Sequence, residues 1–148
     1  KVLTDIKQDG QINTIDIIPP NIKMYWNCIL DHDGKKTRYE LLKGWEEQLK
    51  IINFLQGDSI KIMQKLPKKR INFCFLDGAH SYKKVKNEFK IVSVLQKPGD
   101  IIIFDDVTKN YFNGVVQLVN EINEIGTYNI ELLTSDKAQR GYAVAKKK

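Results

Sequence analysis

The sequence has little of what would build a disulfide-rich, membrane-spanning or disordered protein. It contains only two cysteines, Cys28 and Cys74, in 148 residues, which is too few for a disulfide framework and favours a reducing, cytoplasmic setting. No apolar run approaches the roughly 18 residues needed to cross a bilayer, so no membrane partner is expected. Hydrophobic residues make up 42% of the chain and charged residues 28%, a balance typical of globular proteins that bury a core.

Basic residues outnumber acidic ones, but they are not arranged as a nucleic-acid surface. The formal net charge is +6, and the basic residues form short clusters within 35–36, 68–70, 83–86 and 146–148. Aromatic residues do not alternate with these clusters, as they would on a platform for single-stranded nucleic acid. We therefore interpret the clusters as solvated lysines and expect no nucleic-acid partner, although an anionic substrate stays compatible with this charge.

The order of apolar patterns predicts a single α/β domain over residues 1–148. The length suits one core, and stretches with strand-like patterns alternate with stretches of helical spacing. Residues 11–18 and 51–56 are predicted strands. The last two predicted strands, 128–133 and 141–145, are expected to be antiparallel to each other.

Helical spacing occurs in two stretches of the first third of the chain. Apolar residues within 21–30 predict a short helix. Thr37 and Glu40 form the pattern of a capping box, in which the hydroxyl and the carboxylate each accept a backbone N–H at a helix start. A second helix is therefore predicted to begin there and to continue to about residue 49. Between the two helices, residues 31–34 predict a polar turn.

The centre of the chain contains two short apolar runs that end at carboxylates, the first at Asp77 and the second at Asp105 and Asp106. Runs of this kind, without alternation, predict strands buried on both faces of a parallel sheet. One helical pattern lies between them, so the segment reads as a β-α-β unit whose strands run the same way. We expect these carboxylates and His80 to meet at one edge of the sheet, where open α/β sheets bind their ligands.

These side chains predict a metal-assisted active site. Clustered aspartates repel one another unless a cation lies among them, and Mg²⁺ takes a few carboxylate oxygens together with water and substrate. A histidine is the side chain best suited to take a proton near neutral pH, and His80 follows Asp77 on the same loop. In the structural alternative, the aspartates cap helices or hold loops, and His80 is a hydrogen-bonded loop residue.

The same region resembles a known enzyme family. The segments that carry the resemblance are Gly57-Asp58-Ser59, Phe75 to Tyr82, Leu95 to Asp100, Ile102 to Asp106, and Gly114-Val115. From about Gln11 to its end, the chain resembles the class I S-adenosylmethionine-dependent methyltransferases. Within that class it is similar to the metal-dependent O-methyltransferase branch that includes macrolide-sugar methyltransferases and cephalosporin-hydroxylase-like proteins.

The resemblance implies a fold and a cofactor. The fold is a Rossmann-like, mostly parallel sheet with helices on both faces and a C-terminal antiparallel hairpin. The cofactor is S-adenosylmethionine. Asp16 would take its ribose hydroxyls and Asp58 its adenine, which agrees with the hydrogen bonds that a carboxylate can accept. Gly57, Ser59 and Asp77 would also border the cofactor.

The resemblance also implies a metal, a base and a substrate class. Asp77, Asp105 and Asp106 would ligate Mg²⁺ or another divalent cation. His80 falls at the position of the histidine base in the sugar methyltransferases. The methyl acceptor would be a hydroxyl of a small molecule, with a sugar as one candidate. A homo-oligomer is left open.

The sequence departs from the family in one respect. It contains no Gly-x-Gly pattern, and the family's first strand and Gly-rich loop, which cradles the methionine part of the cofactor, have no counterpart. We therefore expect the sequence to be a fragment of a longer protein rather than a degenerate member. Two further functions stay open as alternatives. One is a catalytically silent binding module on the same fold, and the other is a hydroxylase-like enzyme on the same scaffold.

Overall fold

A computed structural model describes residues 10–26, 28–109, 111–135 and 140–148 of the chain. The chain divides into two compact units, Lys1–Ile62 and Met63–Lys148. That residues 1–148 form one domain stays a prediction.

Strands and helices alternate along the described residues. The strands are β1 (Ile12–Asp16), β2 (Ile52–Gln56), β3 (Phe73–Leu76), β4 (Ile101–Phe104), β5 (Tyr128–Ser135) and β6 (Arg140–Lys147). The helices are α1 (Arg38–Leu41), α2 (Glu46–Leu49), α3 (Ser59–Lys65), α4 (Tyr82–Ser93) and α5 (Asn113–Ile125), and a 3-10 turn covers Ile29–Asp33. This order confirms the predicted α/β class. No helix in the described part of the chain is both long and apolar enough to span a membrane.

In the first unit, β1 and β2 form a two-stranded parallel sheet. Ile12 lies opposite Ile52, and Asp16 lies opposite Gln56. Both strands therefore end at the same edge, where the backbone N–H of Gly57 donates to the carbonyl of Asp16 at 2.8 Å. This edge carries residues that the resemblance assigns to the cofactor.

The predicted capping box at the start of α1 is confirmed. The Thr37 hydroxyl accepts the N–H of Glu40 at 3.1 Å, and the Glu40 carboxylate accepts the N–H of Thr37 at 2.7 Å. The helix that follows is shorter than predicted, because α1 ends at Leu41 and α2 is a separate helix. Gly44 lies between them with a φ of 90°, a conformation that an α-helix cannot contain and that glycine adopts without strain.

The helix predicted over residues 21–30 is wrong. Met24 instead pairs with Lys36 in an isolated antiparallel bridge, and the indole N–H of Trp26 donates to the carbonyl of Lys36 at 2.7 Å. The Asp31 carboxylate accepts the backbone N–H of Trp26 at 2.8 Å. These partners replace the bonds of a helix, because side-chain acceptors near the backbone compete with a weak helical pattern.

The second unit contains a four-stranded sheet in the order β3-β4-β6-β5. β3 and β4 are parallel and are connected through α4, whereas β6 is antiparallel to both of its neighbours, β4 and β5. This topology confirms the β-α-β unit and the C-terminal hairpin with an antiparallel strand inserted beside a parallel pair. It matters for function because β3 and β4 deliver their carboxyl ends to one edge.

The core of the second unit lies between the sheet and two helices. Its buried members are Val85 and Val92 of α4, Val115, Leu118, Val119 and Ile122 of α5, and Ile102, Phe104, Tyr128, Ala143 and Ala145 of the strands, with Val107 beside them. β3 differs from the prediction of a strand buried on both faces. Cys74 and Leu76 pack against the core, while Phe73 and Phe75 are 58% and 48% exposed, since alternate side chains of a strand point to opposite faces.

Candidate functional site

Two of the predicted carboxylates meet because their strands are parallel and in register. β3 ends at Leu76, which lies opposite Phe104 at the end of β4, and the next residues are Asp77 and Asp105. The N–H of Asp105 donates to the carbonyl of Leu76 at 3.0 Å, so the pairing continues one residue past the strands. The two carboxyl groups are hydrogen-bonded to each other.

Asp106 leaves the end of β4 in a left-handed conformation. Its φ is 55°, and no other non-glycine residue in the described ranges has a positive φ. Aspartate tolerates this region better than most residues with a Cβ. The turn is held by the N–H of Asp106, which donates to Oδ1 of Asp105 at 2.7 Å, and by the N–H of Val107, which donates to the carbonyl of Gly141 at 2.8 Å. Asp106 is thereby held beside the loop that follows β3.

His80 completes the cluster. Its Nε2 atom lies 2.8 Å from Oδ2 of Asp106. Asp77, His80 and Asp106 each offer one ligand atom, and these atoms all lie within 4.8 Å of one another. Asp105 is not a member of that set of three, but it contacts Asp77 through their hydrogen bond. The structure therefore brings together all four side chains that were expected at this edge.

The crowding disfavours ionisation of Asp77. Burial of its carboxyl group, the hydrogen bond with Asp105 and repulsion from Asp105 and Asp106 raise the pKa of Asp77 from 3.8 to about 6, with a smaller opposing effect from His80. A cation among these oxygens would remove the repulsion.

The donor set fits a hard divalent cation. Carboxylate oxygens are the ligands that Mg²⁺ prefers, and proteins commonly hold it with one or two carboxylates while water and substrate complete its shell. Asp77 and Asp106 meet this requirement with ligand atoms close together, and Asp105 lies beside them. The imidazole of His80 is a ligand better matched to transition metals than to Mg²⁺, so its presence does not by itself select the ion.

Two residues outside the predicted site contact the loop that carries His80. The ring of Phe112 lies 4.3 Å from the imidazole, centroid to centroid, at an angle of 40°. Gly114, in the first turn of α5, approaches the loop so closely that a Cβ there would lie 2.5 Å from the His80 carbonyl oxygen. Gly114 belongs to the family motif, which is a signal for it. Phe112 has no such signal, because nothing in the sequence distinguishes it from a phenylalanine that only packs in the core.

A second group of contacts joins the start of α4 to α5. The hydroxyl of Tyr82 donates to one carboxylate oxygen of Glu121, and Nζ of Lys86 lies 2.6 Å from the other. Lys86 also donates to the Tyr82 hydroxyl at 2.7 Å. The hydrogen bonds from Lys86 and Tyr82 lower the pKa of Glu121, which keeps this carboxylate charged. The start of α4, directly after the loop that carries His80, is thus bonded to α5.

Asp16, the predicted ribose-binding residue, lies at the end of β1 in the first unit. Its Oδ2 accepts a hydrogen bond from Nη2 of Arg38 at 2.7 Å, and its Oδ1 accepts the N–H of Ile18 at 2.9 Å. The Arg38 guanidinium also lies 5.3 Å from the Trp26 ring centroid, a cation–π distance. No pattern in the sequence predicted this cation beside Asp16. The ribose role of Asp16 stays a prediction.

Gly57, Asp58 and Ser59 follow β2 at the same edge of that sheet. Gly57 has a φ of 145°, which favours glycine at this turn. Oδ1 of Asp58 accepts the N–H of Lys61 at 3.0 Å, so this carboxylate caps the start of α3. Capping uses one oxygen, and the adenine role of Asp58, like that of its neighbours, stays a prediction.

The sequence matches a protein family over most of its length. The family is described as a methyltransferase domain, and the match covers residues 4–107. This chain belongs to the methyltransferase domain family. The matched region of this methyltransferase domain contains every predicted site residue from Asp16 to Asp106. No curated protein matches its sequence.

Solved structures share the fold of this methyltransferase domain. One is an O-methyltransferase from Bacillus cereus in complex with SAH, with a TM-score of 0.65 at 17% sequence identity. The match covers 94% of this chain and 63% of the Bacillus cereus chain. Another is the O-methyltransferase TomG from Streptomyces achromogenes, which is involved in tomaymycin synthesis and was solved with SAM. Its TM-score is 0.65 at 15% sequence identity, and the match covers 94% of this chain and 62% of TomG. A third is CalS11, a TDP-rhamnose 3'-O-methyltransferase in calicheamicin biosynthesis. Its TM-score is 0.55 at 14% sequence identity, and the match covers 89% of this chain and 57% of CalS11.

At these identities the likeness shows the fold alone, and that fold is the Rossmann-like one expected of class I methyltransferases. The chain spans less than two thirds of the length of each of these proteins.

Proposed function

We propose that this methyltransferase domain acts in a Mg²⁺-dependent O-methyltransferase that transfers the methyl group of S-adenosylmethionine to a hydroxyl of a small molecule. The observation that carries the proposal is the meeting of Asp77, Asp106 and His80 at the carboxyl edge of two parallel strands, with one ligand atom of each within 4.8 Å of the others. A proton acceptor beside two carboxylates that can hold a cation is a combination suited to deprotonating a hydroxyl.

His80 is the proposed base. Its imidazole is close to half exposed, with 42% of the side chain accessible, so an acceptor hydroxyl can reach it. In the reaction the imidazole takes the hydroxyl proton while the acceptor oxygen bonds to the methyl carbon. The bond between that carbon and the sulfonium sulfur breaks, and the sulfur keeps the electron pair as a neutral thioether. Oδ2 of Asp106, 2.8 Å from Nε2, orients the imidazole.

Asp77, Asp105 and Asp106 would hold the cation. When bound, Mg²⁺ supplies Lewis acidity that lowers the pKa of a nearby hydroxyl and fixes its orientation. The residues themselves supply oxygen donors just past the ends of two adjacent strands, where the N–H of Asp105 donates to the carbonyl of Leu76. The raised pKa of Asp77, caused by burial, by the hydrogen bond with Asp105 and by repulsion from Asp105 and Asp106, supports the proposal because a cation would relieve the repulsive part.

Asp16, Gly57, Asp58, Ser59 and Asp77 are the proposed contacts to S-adenosylmethionine. Asp16 and Gly57 lie side by side at the end of their sheet, which supports a shared role. Binding in the right orientation, rather than a further catalytic group, would supply much of the rate, since in-line transfer depends on alignment.

The setting proposed for this activity is the cytoplasm. Cys28 and Cys74 are free thiols, as a reducing compartment would keep them. The acceptor is proposed to be a small molecule rather than nucleic acid, and a sugar hydroxyl is the first acceptor to test. A homo-oligomer is neither required nor opposed by the contacts described above.

The test is isothermal titration of the protein with S-adenosylmethionine, with and without Mg²⁺, followed by mass spectrometry of methyl transfer to a panel of TDP-sugars and catechols. Methylated product that depends on Mg²⁺ and is lost in His80→Ala supports the proposal. Cofactor binding without transfer to any acceptor would favour a silent binding module. Oxygen insertion in place of methylation would favour a hydroxylase-like enzyme.

A further inference from the structure

The position of His80 depends on a loop, so something must hold that loop still. His80 is exposed, and residues 77–80 lie between β3 and α4 outside any helix or strand. Loops without support move more than the elements that they join. A base must lie within hydrogen-bond reach of the proton that it abstracts. The support for His80 is therefore part of the site.

The first turn of α5 lies directly against this loop. A Cβ built on Gly114 would be 2.5 Å from the carbonyl oxygen of His80, 2.9 Å from the carbonyl carbon of Ser81, and closer still to the backbone nitrogen of Tyr82. Real Cβ atoms essentially never lie under 3.0 Å from such atoms. All three are backbone atoms, so no side chain can rotate away to make room.

The imidazole itself rests on the residue that precedes α5. The ring centroids of His80 and Phe112 are 4.3 Å apart, so the two rings are in direct van der Waals contact. Phe112 also packs against the hydrophobic core. On another side, Nε2 of His80 lies 2.8 Å from Asp106. The imidazole is thus held between a core-anchored ring and a carboxylate.

α5 is the less movable partner in this contact. It buries Val115, Leu118, Val119 and Ile122, each no more than 2% exposed, and a close-packed core resists displacement. Glu121, one turn before its end, bonds Tyr82 and Lys86 of α4. If a larger residue replaced Gly114, the loop would yield and would carry His80 with it.

We propose that Gly114 and Phe112 are positioning residues for His80, so that the start of α5 determines where the base lies relative to Asp106. Gly114 does so by allowing the backbones to touch, and Phe112 by supporting the ring. The proposal rests on the proposed function, in which His80 is the base. Neither residue touches the reacting atoms, and both act through the histidine.

The two histidines of the chain, His32 and His80, make the test direct. In protein labelled with isotope at histidine, NMR gives one set of imidazole signals for each, and His32 serves as the internal control. The ring current of Phe112 should shift the His80 signals. Phe112→Leu should remove that shift, Phe112→Tyr should retain it, and Gly114→Ala should move the His80 signals while those of His32 stay in place.

Kinetics supply the second readout. Displacing a catalytic group by about 1 Å can cost about 100-fold in rate, so Gly114→Ala and Phe112→Leu should lower kcat by 10-fold to about 100-fold with the KM for S-adenosylmethionine unchanged. Phe112→Tyr should restore kcat. Gln117→Ala, an exposed site on the same helix, is the matched control and should change neither the signals nor kcat.

The outcomes separate the two proposals. If Gly114→Ala and Phe112→Leu lower only thermal stability and leave the His80 signals and kcat at their wild-type values, the positioning proposal is wrong. If Gly114→Ala does not fold, the pair Phe112→Leu and Phe112→Tyr decides by the same criteria. If the wild-type protein transfers no methyl group, the proposed function fails, and the NMR comparison still decides whether α5 positions His80.

Discussion

The Nε2 atom of His80 lies 2.8 Å from the Oδ2 atom of Asp106. The two residues come from different loops, one after β3 and one after β4, and each loop also carries another of the clustered aspartates. The imidazole therefore contacts one of the carboxylates that are proposed to hold the cation. This geometry allows His80 to act either as a base or as a metal ligand. Measurements of Mg²⁺ binding and of turnover distinguish the two roles.

Replacing His80 separates these roles. His80→Ala is expected to lower kcat by about 100-fold or more, the usual contribution of a general base, and to leave the Mg²⁺ affinity unchanged. The measurement is turnover combined with isothermal titration of Mg²⁺, and His32→Ala is the control. A tenfold loss of Mg²⁺ affinity in His80→Ala would instead make His80 a ligand, and the proposed set of three aspartates would be wrong.

Replacing the aspartates tests the metal site. Asp77→Asn and Asp106→Asn should each weaken Mg²⁺ binding by about tenfold or more, since even partners that only support a ligand cost that much. Asp77→Asn should also raise the thermal stability of the metal-free protein at neutral pH, because it removes a carboxylate whose ionisation its neighbours oppose. Titration and thermal unfolding in chelator measure the two effects.

The control for these variants is Glu131→Gln, an exposed acid on β5. It should alter neither Mg²⁺ affinity nor metal-free stability. Unchanged Mg²⁺ binding in both aspartate variants would contradict the metal site itself.

Asp100 is expected to make the stability of the fold depend on pH. It is 3% exposed, and hydrogen bonds from Arg70 hold its pKa below the ordinary value of 3.8, helped by Lys97 and Asn72. A lowered pKa in the folded state stabilises the fold above the unfolded-state value, and this stabilisation is lost as the pH falls further. Wild type should therefore be more stable than Asp100→Asn at pH 5 and above, and the difference should shrink as the pH falls below 3.8.

Urea unfolding of the two proteins across that range measures the difference. Glu124→Gln, at an exposed position on α5, is the control and should track wild type. A difference that stays constant down to the lowest pH would mean that the ionised form of Asp100 is not what stabilises the fold.

Tyr128 gives a prediction for stability. Its hydroxyl donates to Oε1 of Gln96 at 2.8 Å in the buried core, and Nε2 of Gln96 donates to the carbonyl of Ile101 at 3.1 Å. Tyr128→Phe should destabilise the protein by about 1–3 kcal/mol, because a buried acceptor loses its donor. Chemical denaturation measures this, with Tyr142→Phe, at a more exposed position, as control. A loss equal to that of the control would contradict the role of the buried bond.

Local patterns in the sequence predicted the elements that depend on neighbouring residues. The capping box at Thr37 is an example, since its two hydrogen bonds join residues three apart. The parallel β3-β4 pair also followed, because one helical pattern separated two apolar runs.

Sequence patterns gave wrong predictions where residues outside the pattern decide the hydrogen bonding or the burial. The helical spacing within 21–30 was overruled by Lys36 and Asp31, which supply acceptors to Trp26. The predicted burial of both faces of β3 failed for Phe73 and Phe75. In both cases the outcome depends on which other elements lie nearby, and periodicity does not contain that information.

By itself, the sequence determined that carboxylates would gather at one sheet edge, because parallel strands in register must end together. Only the tertiary structure decided what surrounds them: the contact of His80 with Asp106, the ring of Phe112 and the bare backbone of Gly114. The physical reason is that strand direction follows from local pattern and chain connectivity. Close approach between a loop and a helix follows from packing, which joins residues far apart in the chain.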